Sequence, residues 1–346
     1  MSFRKIISDS EAHLSKVIHG AIVQSVLATH KRCGSRPPQE PDYVASLVCD
    51  AVPLIYKNLC KLLKRHRARC SVIGVYCHQT PKVEYNSRVR PCEIGDLLFV
   101  HVHTNHGGVT ERYALLLQAK MSARREYPIP KKERHQLGLY KYWPRFWYLS
   151  PQSLTGEERH VTPSTHHMGA QYLLINGSSC FKKLGKHFAI PWAYFMGTCV
   201  PDEELFIHNE LSDELLDVIG ARSGRAFYSH MDTKGDDWSK IVWDLLRVGL
   251  TTAFNRRNSR RIQEARVSGD VEKLHGYFYA ESMDLKRTTS TVRELLGDDD
   301  TLALYSATDW PLDAGTTEEK ALADLGDKEG VSIILIESSD TLATEG

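Results

Sequence analysis

The sequence predicts an α/β fold, a mixed sheet flanked by helices with an α+β extension toward the C-terminus. Two long amphipathic segments precede residue 66, three apolar runs of strand length lie between residues 71 and 119, and strand and helix patterns return after residue 150. At 346 residues, 42% hydrophobic and 25% charged, the chain can bury one large core or two modest ones.

The first helix is marked by Leu14, Val17, Ile18, Ala21, Ile22 and Val26 at helical spacing, with Ser8 or Ser10 as its cap and Gly34 as its stop. A proline-punctuated loop, GSRPPQEPDYVASL, feeds a second helix through Val44, Leu47, Val48, Ala51, Leu54, Ile55, Leu59 and Leu62, which Pro53 should kink or split. Residues 71–77, 94–102 and 111–119 read as strands, rich in β-branched and aromatic residues or continuously apolar. NHGG between the last two reads as a hairpin loop. KKERHQLGLYKYW is a short helix stopped by Pro144. Farther on, AQYLLIN and VSIILIES read as strands, and DDWSKIVWDLLRVGLTTAFNRR as an amphipathic helix. These patterns divide the chain into an N-terminal helix (1–34), a core (35–150) and an acidic α+β region (151–346) that can pack on the core. The acidic tract from Glu294 to Glu329 reads as solvated surface.

Charge is unevenly shared. Residues 1–150 hold 24 Lys+Arg against 11 Asp+Glu, net +13, and the remainder holds 20 against 32, net −12. A basic half suggests a polyanionic partner, although the two halves could simply attract each other. No run reaches the length of a membrane span, and MSFRKIISDSEAHL lacks the apolar core of a secretory signal. The eight cysteines contain no CxxC pair, which argues against a zinc ribbon or disulfide scaffold and for a cytoplasmic chain with reduced thiols.

One stretch, GDLLFVHVHTNHGGVTERYALLLQAK, carries two competing chemistries. Its middle holds His101, His103 and His106 after a strand and resembles the HxHxDH cluster of the metallo-β-lactamase superfamily, which implies a zinc-dependent hydrolase. Asn105 stands where that cluster has its aspartate, and no later ligands form a pattern. His101 and His103 alternate along a strand and share one face, as ordinary half-buried histidines also do.

The ends of the same stretch give the second reading. Asp96 lies early in one strand, and Gln118 and Lys120 lie two apart on the next, so the latter share a face. Pairing through the hairpin brings Asp96 and Lys120 to one sheet end. There a carboxylate, a second oxygen ligand and a lysine can hold a cation and position a water. EIGDLLFV and LLLQAK resemble the D and (E/Q)xK motifs of the PD-(D/E)xK, or restriction-endonuclease-like, nuclease superfamily, closest to the Mrr-like QxK variant. Gln136 and Tyr140, four apart in HQLGLY, resemble the QxxxY helix motif of its RecB-type members.

The resemblance covers roughly residues 35–150. It implies a restriction-endonuclease-like fold and Mg²⁺- or Mn²⁺-dependent hydrolysis of DNA phosphodiesters, with RNA also open. Asp96, Gln118 and Glu40 would be the metal ligands, Asp42 and Glu84 being alternatives to Glu40, and Lys120 would act on the attacking water. Gln136, Tyr140, Arg124, Arg125, Lys131 and Lys132 would contact nucleic acid, with Arg134 beside them and Arg256, Arg257, Arg260 and Arg261 as a second basic contact. Such folds serve bacterial defence, restriction and repair, and this chain could act as a homodimer or with a helicase or sensor partner. The neutral Gln118 departs from the usual acidic residue and keeps open a rival, a catalytically decayed nuclease fold that binds nucleic acid or a partner.

Overall fold

Four short stretches of local physics start the chain. In the computed structural model, which describes residues 2–105, 110–164, 167–177, 196–256, 274–283, 290–296 and 330–340, Ser2 caps α1 (Phe3–Asp9) by accepting from the Lys5 N–H. Ser10 then separates it from α2 (Glu11–Cys33), the helix expected here, which α1 precedes as an additional short helix. Gly34, at φ 58°, ends α2 by donating to the His30 carbonyl. Gln39 and Asp42 cap α3 (Glu40–Ser46) reciprocally. A π-helical turn (Leu47–Ala51) leads into α4 (Val52–Arg65). Pro53 stands in the first turn of α4, and the wider turn just ahead of it accommodates the missing N–H.

The strands at 71–77, 94–102 and 111–119 are present as β1 (Arg69–Tyr76), β4 (Leu97–Thr104) and β5 (Thr110–Ser122), with β2 (Lys82–Glu84) and β3 (Cys92–Glu93) between the first two. After β6 (Glu126–Pro128), a tight 3-10 turn at Lys131–Glu133 runs into α5 (Arg134–Tyr142). There follow β7 (Phe146–Ser150), β8 (Glu158–Arg159), β9 (Ala170–Asn176), β10 (Met196–Cys199), β11 (Glu204–Phe206) and β12 (Asn209–Glu210). The last elements are α6 (Leu211–Ile219), β13 (Arg225–Ala226), α7 (Asp237–Arg256), β14 (Tyr277–Ser282), α8 (Ser290–Leu296) and β15 (Ser332–Ser339).

The central sheet is mixed, in the order β12-β10-β9-β5-β4-β15-β1-β14, with β13 also paired to β5. β4 and β5 form the expected antiparallel hairpin. β15 lies parallel to β4 and antiparallel to β1, and β9 runs parallel to β5. Strands from beyond residue 150 therefore stand in the same sheet as the hairpin. They complete the sheet on both sides of the hairpin, whose strands are apolar on both faces and require cover.

Alternation along the strands sorts the core into two layers. Leu97, Phe99, Leu115, Leu117 and Ala119 pack with α1 to α4 and α6, whereas Leu98, Val100, Val102, Ala114 and Leu116 pack with α5, α7 and the aromatic run Trp143–Tyr148. Among the described residues, no helix is long and apolar enough to cross a membrane. His106, Arg257, Arg260, Arg261 and the acidic stretch from 297 to 329 lie outside the described residues.

Candidate active site

The two chemistries of the GDLLFV…LLLQAK stretch occupy opposite faces and opposite ends of the hairpin. Leu97 pairs with Leu117 at one end, and His103 with Glu111 at the other. At the histidine end, His101 Nε2 and His103 Nδ1 both meet the Ser338 hydroxyl on β15, at 3.0 and 2.9 Å. Both rings stack on Phe3 of α1, with centroids 5.5 and 5.0 Å away. Burial lowers both, His101 to about 3. The pair is a stacked support between the first helix and the last strand, with one ring nitrogen of each turned to Ser338 and the other nitrogen of His103 3.7 Å from the Asp340 carboxylate.

At the other end the strand motif assembles. The Asp96 backbone is held on both sides, its N–H donating to Leu117 O at 2.9 Å and its carbonyl accepting from Ser332 N of β15 at 3.1 Å. Gly95 allows this closeness, since a Cβ there would come within 2.6 Å of the Leu116 side chain and 3.0 Å of the Tyr140 hydroxyl. One carboxylate oxygen of Asp96 accepts from the Ala119 N–H at 2.7 Å and from the Gln118 side-chain amide. Glu40, at the start of α3, reaches the same strand end and accepts from the Met121 N–H at 3.1 Å. Lys120, only 8% exposed, pairs with Glu133 at 3.0 Å. Asp96, Gln118, Lys120 and Glu40 therefore meet around the end of β5.

Electrostatics set the character of the cluster. Burial, followed by the nearby charge of Glu93 and then Glu40, pushes Asp96 up to about 8 even though the Ala119 N–H and Lys120 pull it down. Glu40 and Glu93 are also raised, by burial first. Several carboxylates thus share a poorly hydrated site whose central lysine is already engaged by Glu133. That donor set fits a hard divalent cation, which takes oxygen ligands and, for Mg²⁺, keeps several waters beside one or two carboxylates. Among the described residues, no three His, Cys, Asp or Glu side chains are drawn together as a complete ligand set.

Three expected residues are engaged by neighbouring groups of the protein. Gln118, expected as an oxygen ligand, has its carbonyl oxygen accepting from Gln136 Nε2 at 2.6 Å and its nitrogen facing Asp96. Gln136 and Tyr140, expected to touch nucleic acid, turn inward. Gln136 also donates to the Glu93 carbonyl at 3.3 Å, and the Tyr140 hydroxyl donates to the Ile94 carbonyl at 2.7 Å. Of the alternatives to Glu40, Asp42 is taken up by the α3 cap and by Arg36 at 2.7 Å, and Glu84 lies on β2 in the small sheet. Arg124 and Arg125 in the turn after β5, and Lys131, Lys132 and Arg134 around the start of α5, are exposed on the chain segments flanking Lys120 and Glu133. Arg134 is paired with Glu203 at 3.2 Å and Arg124 with Glu126 at 3.6 Å.

Sequence reasoning missed Glu133 and Glu93. Glu133 precedes α5, its carboxylate makes no cap bond, and it accepts from the Tyr127 hydroxyl at 3.2 Å while holding Lys120. The available signal was spacing: Glu133, Gln136 and Tyr140 fall one turn apart and so share a helical face. No family model, no curated protein and no solved structure matches this chain.

Proposed function

We propose that the chain is a Mg²⁺- or Mn²⁺-dependent nuclease of the restriction-endonuclease-like class that hydrolyses DNA phosphodiesters. The observation that carries this reading is the convergence of Asp96, Lys120 and Glu40 at one end of the β4–β5 hairpin, with α5 locked against them through Gln118. Asp96 and Glu40 would hold the cation, each already oriented by a backbone N–H of β5. A cation there supplies a hydroxide-like water at neutral pH and offsets charge on the phosphate. Gln118 fixes the Asp96 carboxylate. Lys120 brings a positive charge to the scissile phosphate and orients the attacking water. Arg124, Arg125, Lys131 and Lys132 track the neighbouring phosphates.

The test is cleavage of plasmid and single-stranded DNA with and without Mg²⁺ or Mn²⁺. Asp96→Ala and Lys120→Ala should each lower the rate by at least about a hundredfold while circular dichroism shows the fold intact. Full activity in either variant overturns the assignment. Reversing the charge of Arg124, Arg125, Lys131 and Lys132 should weaken DNA binding and flatten its salt dependence, because fewer counterions are released. The second reading, a nuclease fold that binds without cutting, is favoured by the closed Asp96–Gln118–Gln136 chain of hydrogen bonds. Salt-sensitive binding with no cleavage in any divalent metal would establish it.

A further inference from the structure

We propose that Cys60 and Cys70 are a reversible dithiol–disulfide pair that a peroxide closes in the folded protein. Cys60 lies on α4 and Cys70 in β1, and their sulfurs are in hydrogen-bonding contact at 3.9 Å. A disulfide bond is about 2.05 Å long, so the sulfurs must close by roughly 2 Å, within the range of side-chain rotation. Only residues 66–68 separate the helix from the strand, so the two cysteines stay together whenever this corner is folded. A third sulfur, Met283 Sδ, sits 3.9 Å from Cys70 Sγ and accepts from the Cys70 N–H at 3.4 Å, which steadies the strand end carrying that thiol.

The two thiols are not equivalent. Cys60 stands at the margin of the core, 9% exposed against 4% for Cys70. Its hydrogen bond with Cys70, helped by Tyr56 and Lys64, outweighs burial and brings it down to about 7. Cys70 is pushed up well above the usual range by the same bond and by burial. Elsewhere Cys33, Cys92 and Cys199 are raised, in each case by burial first. Redox-sensing cysteines pair a thiol of thiolate character with a resolving thiol beside it, and this corner has that division of labour at the edge of the core.

The chemistry balances with hydrogen peroxide as the oxidant. The Cys60 thiolate attacks one peroxide oxygen, the O–O bond breaks, and hydroxide leaves and is protonated to water, giving Cys60 sulfenic acid. The Cys70 sulfur then attacks the Cys60 sulfur, its proton leaves with the hydroxyl as a second water, and the S–S bond forms. Two thiols have lost two electrons to one peroxide. The bridge ties α4 to β1, the strand that flanks β15. Neither cysteine lies on an element that carries Asp96, Lys120 or Glu40, so the outcome does not depend on whether the chain cleaves DNA.

The reduced full chain is treated with hydrogen peroxide, alkylated, digested and mapped by mass spectrometry. The expected result is a Cys60–Cys70 cross-linked peptide two hydrogens lighter than its reduced form and reopened by dithiothreitol. The remaining six of the eight cysteines should stay alkylatable. Cys60 should react at least about tenfold faster than the other buried thiols. Cys70→Ser should leave Cys60 as a sulfenic acid trapped by dimedone, and Cys60→Ser should leave Cys70 reduced. Full alkylation of both cysteines after peroxide, cross-links among other pairs, or direct over-oxidation of Cys60 without a bridge each overturns the proposal. If either variant folds poorly, the map of the parent chain still decides.

Discussion

At the scale of single residues, Asp96 concentrates the tension of the site. Its ordinary value is 3.8, and burial with Glu93 and Glu40 pushes it up to about 8. Below about pH 4 the group is protonated whether the chain is folded or not, and it does not alter stability. Between about 4 and 8 the unfolded chain releases the proton and the folded one keeps it, so stability falls as pH rises through this window. Asp96→Asn removes that slope. It should stabilise the metal-free protein less at pH 5, about one unit into the window, than at pH 8, where the gain reaches a few kcal/mol. A hard cation acts in the opposite sense, because it favours the ionised carboxylate. Mn²⁺ should therefore raise the melting temperature of the parent chain more at pH 8 than at pH 5, and leave Asp96→Asn unmoved. Thermal melts at the two pH values, with and without metal, check both statements. Equal pH slopes in parent and variant would show that Asp96 ionises freely.

At the scale of elements, α5 reads the strand motif with one face. Glu133 holds Lys120, Gln136 holds Gln118, and Tyr140 holds the Ile94 carbonyl two residues before Asp96. Glu133→Gln preserves the volume and a partner for the Tyr127 hydroxyl but removes the charge opposite Lys120. Cleavage should fall about tenfold or more, as expected when a reacting group loses its aim. Lys120 should also become more reactive toward an amine-acylating reagent, measured by peptide mapping; an unchanged labelling rate and unchanged cleavage would make the pair idle. The strand half of this arrangement was legible in the sequence. Gln118 and Lys120 two apart, and Asp96 across a short hairpin, follow from alternation and local pairing alone. The helix half was legible only as the spacing of Gln136 and Tyr140. Which strand groups they meet depends on how α5 packs, and that is fixed by Leu137, Leu139 and Trp143 in a core shared with α7. The amide orientation of Gln118 was likewise beyond local rules, because it is decided by Gln136, eighteen positions away on another element.

At the scale of the whole molecule, β15 decides whether the site exists. VSIILIES was readable as a buried strand, but its place between β4 and β1 was not, because its partners lie more than two hundred residues earlier and any apolar strand satisfies the same pattern. That ambiguity is why residues 35–150 looked self-sufficient. In the fold, Ile333, Ile334, Leu335 and Ile336 are buried, and β15 closes both β4 and β1 along its length. Ser332 donates to the Asp96 carbonyl, and Ser338 meets both buried histidines. Burying four such side chains contributes about 1.5–3 kcal/mol each, a sum comparable to the about 5–15 kcal/mol that holds an entire domain folded. Removal would also leave two rows of strand N–H and C=O groups unpaired at the centre of the sheet. Ending the chain at residue 330 should therefore abolish cooperative melting and leave residues 1–150 sensitive to limited proteolysis, and the isolated 1–150 fragment should behave the same way. Circular dichroism melts and protease digestion of the two truncations beside the full chain measure this. A 1–150 fragment that melts cooperatively and binds DNA with the parent's salt dependence would show that the hairpin end and α5 are held without β15, and that Asp96 needs no partner from the far end of the chain.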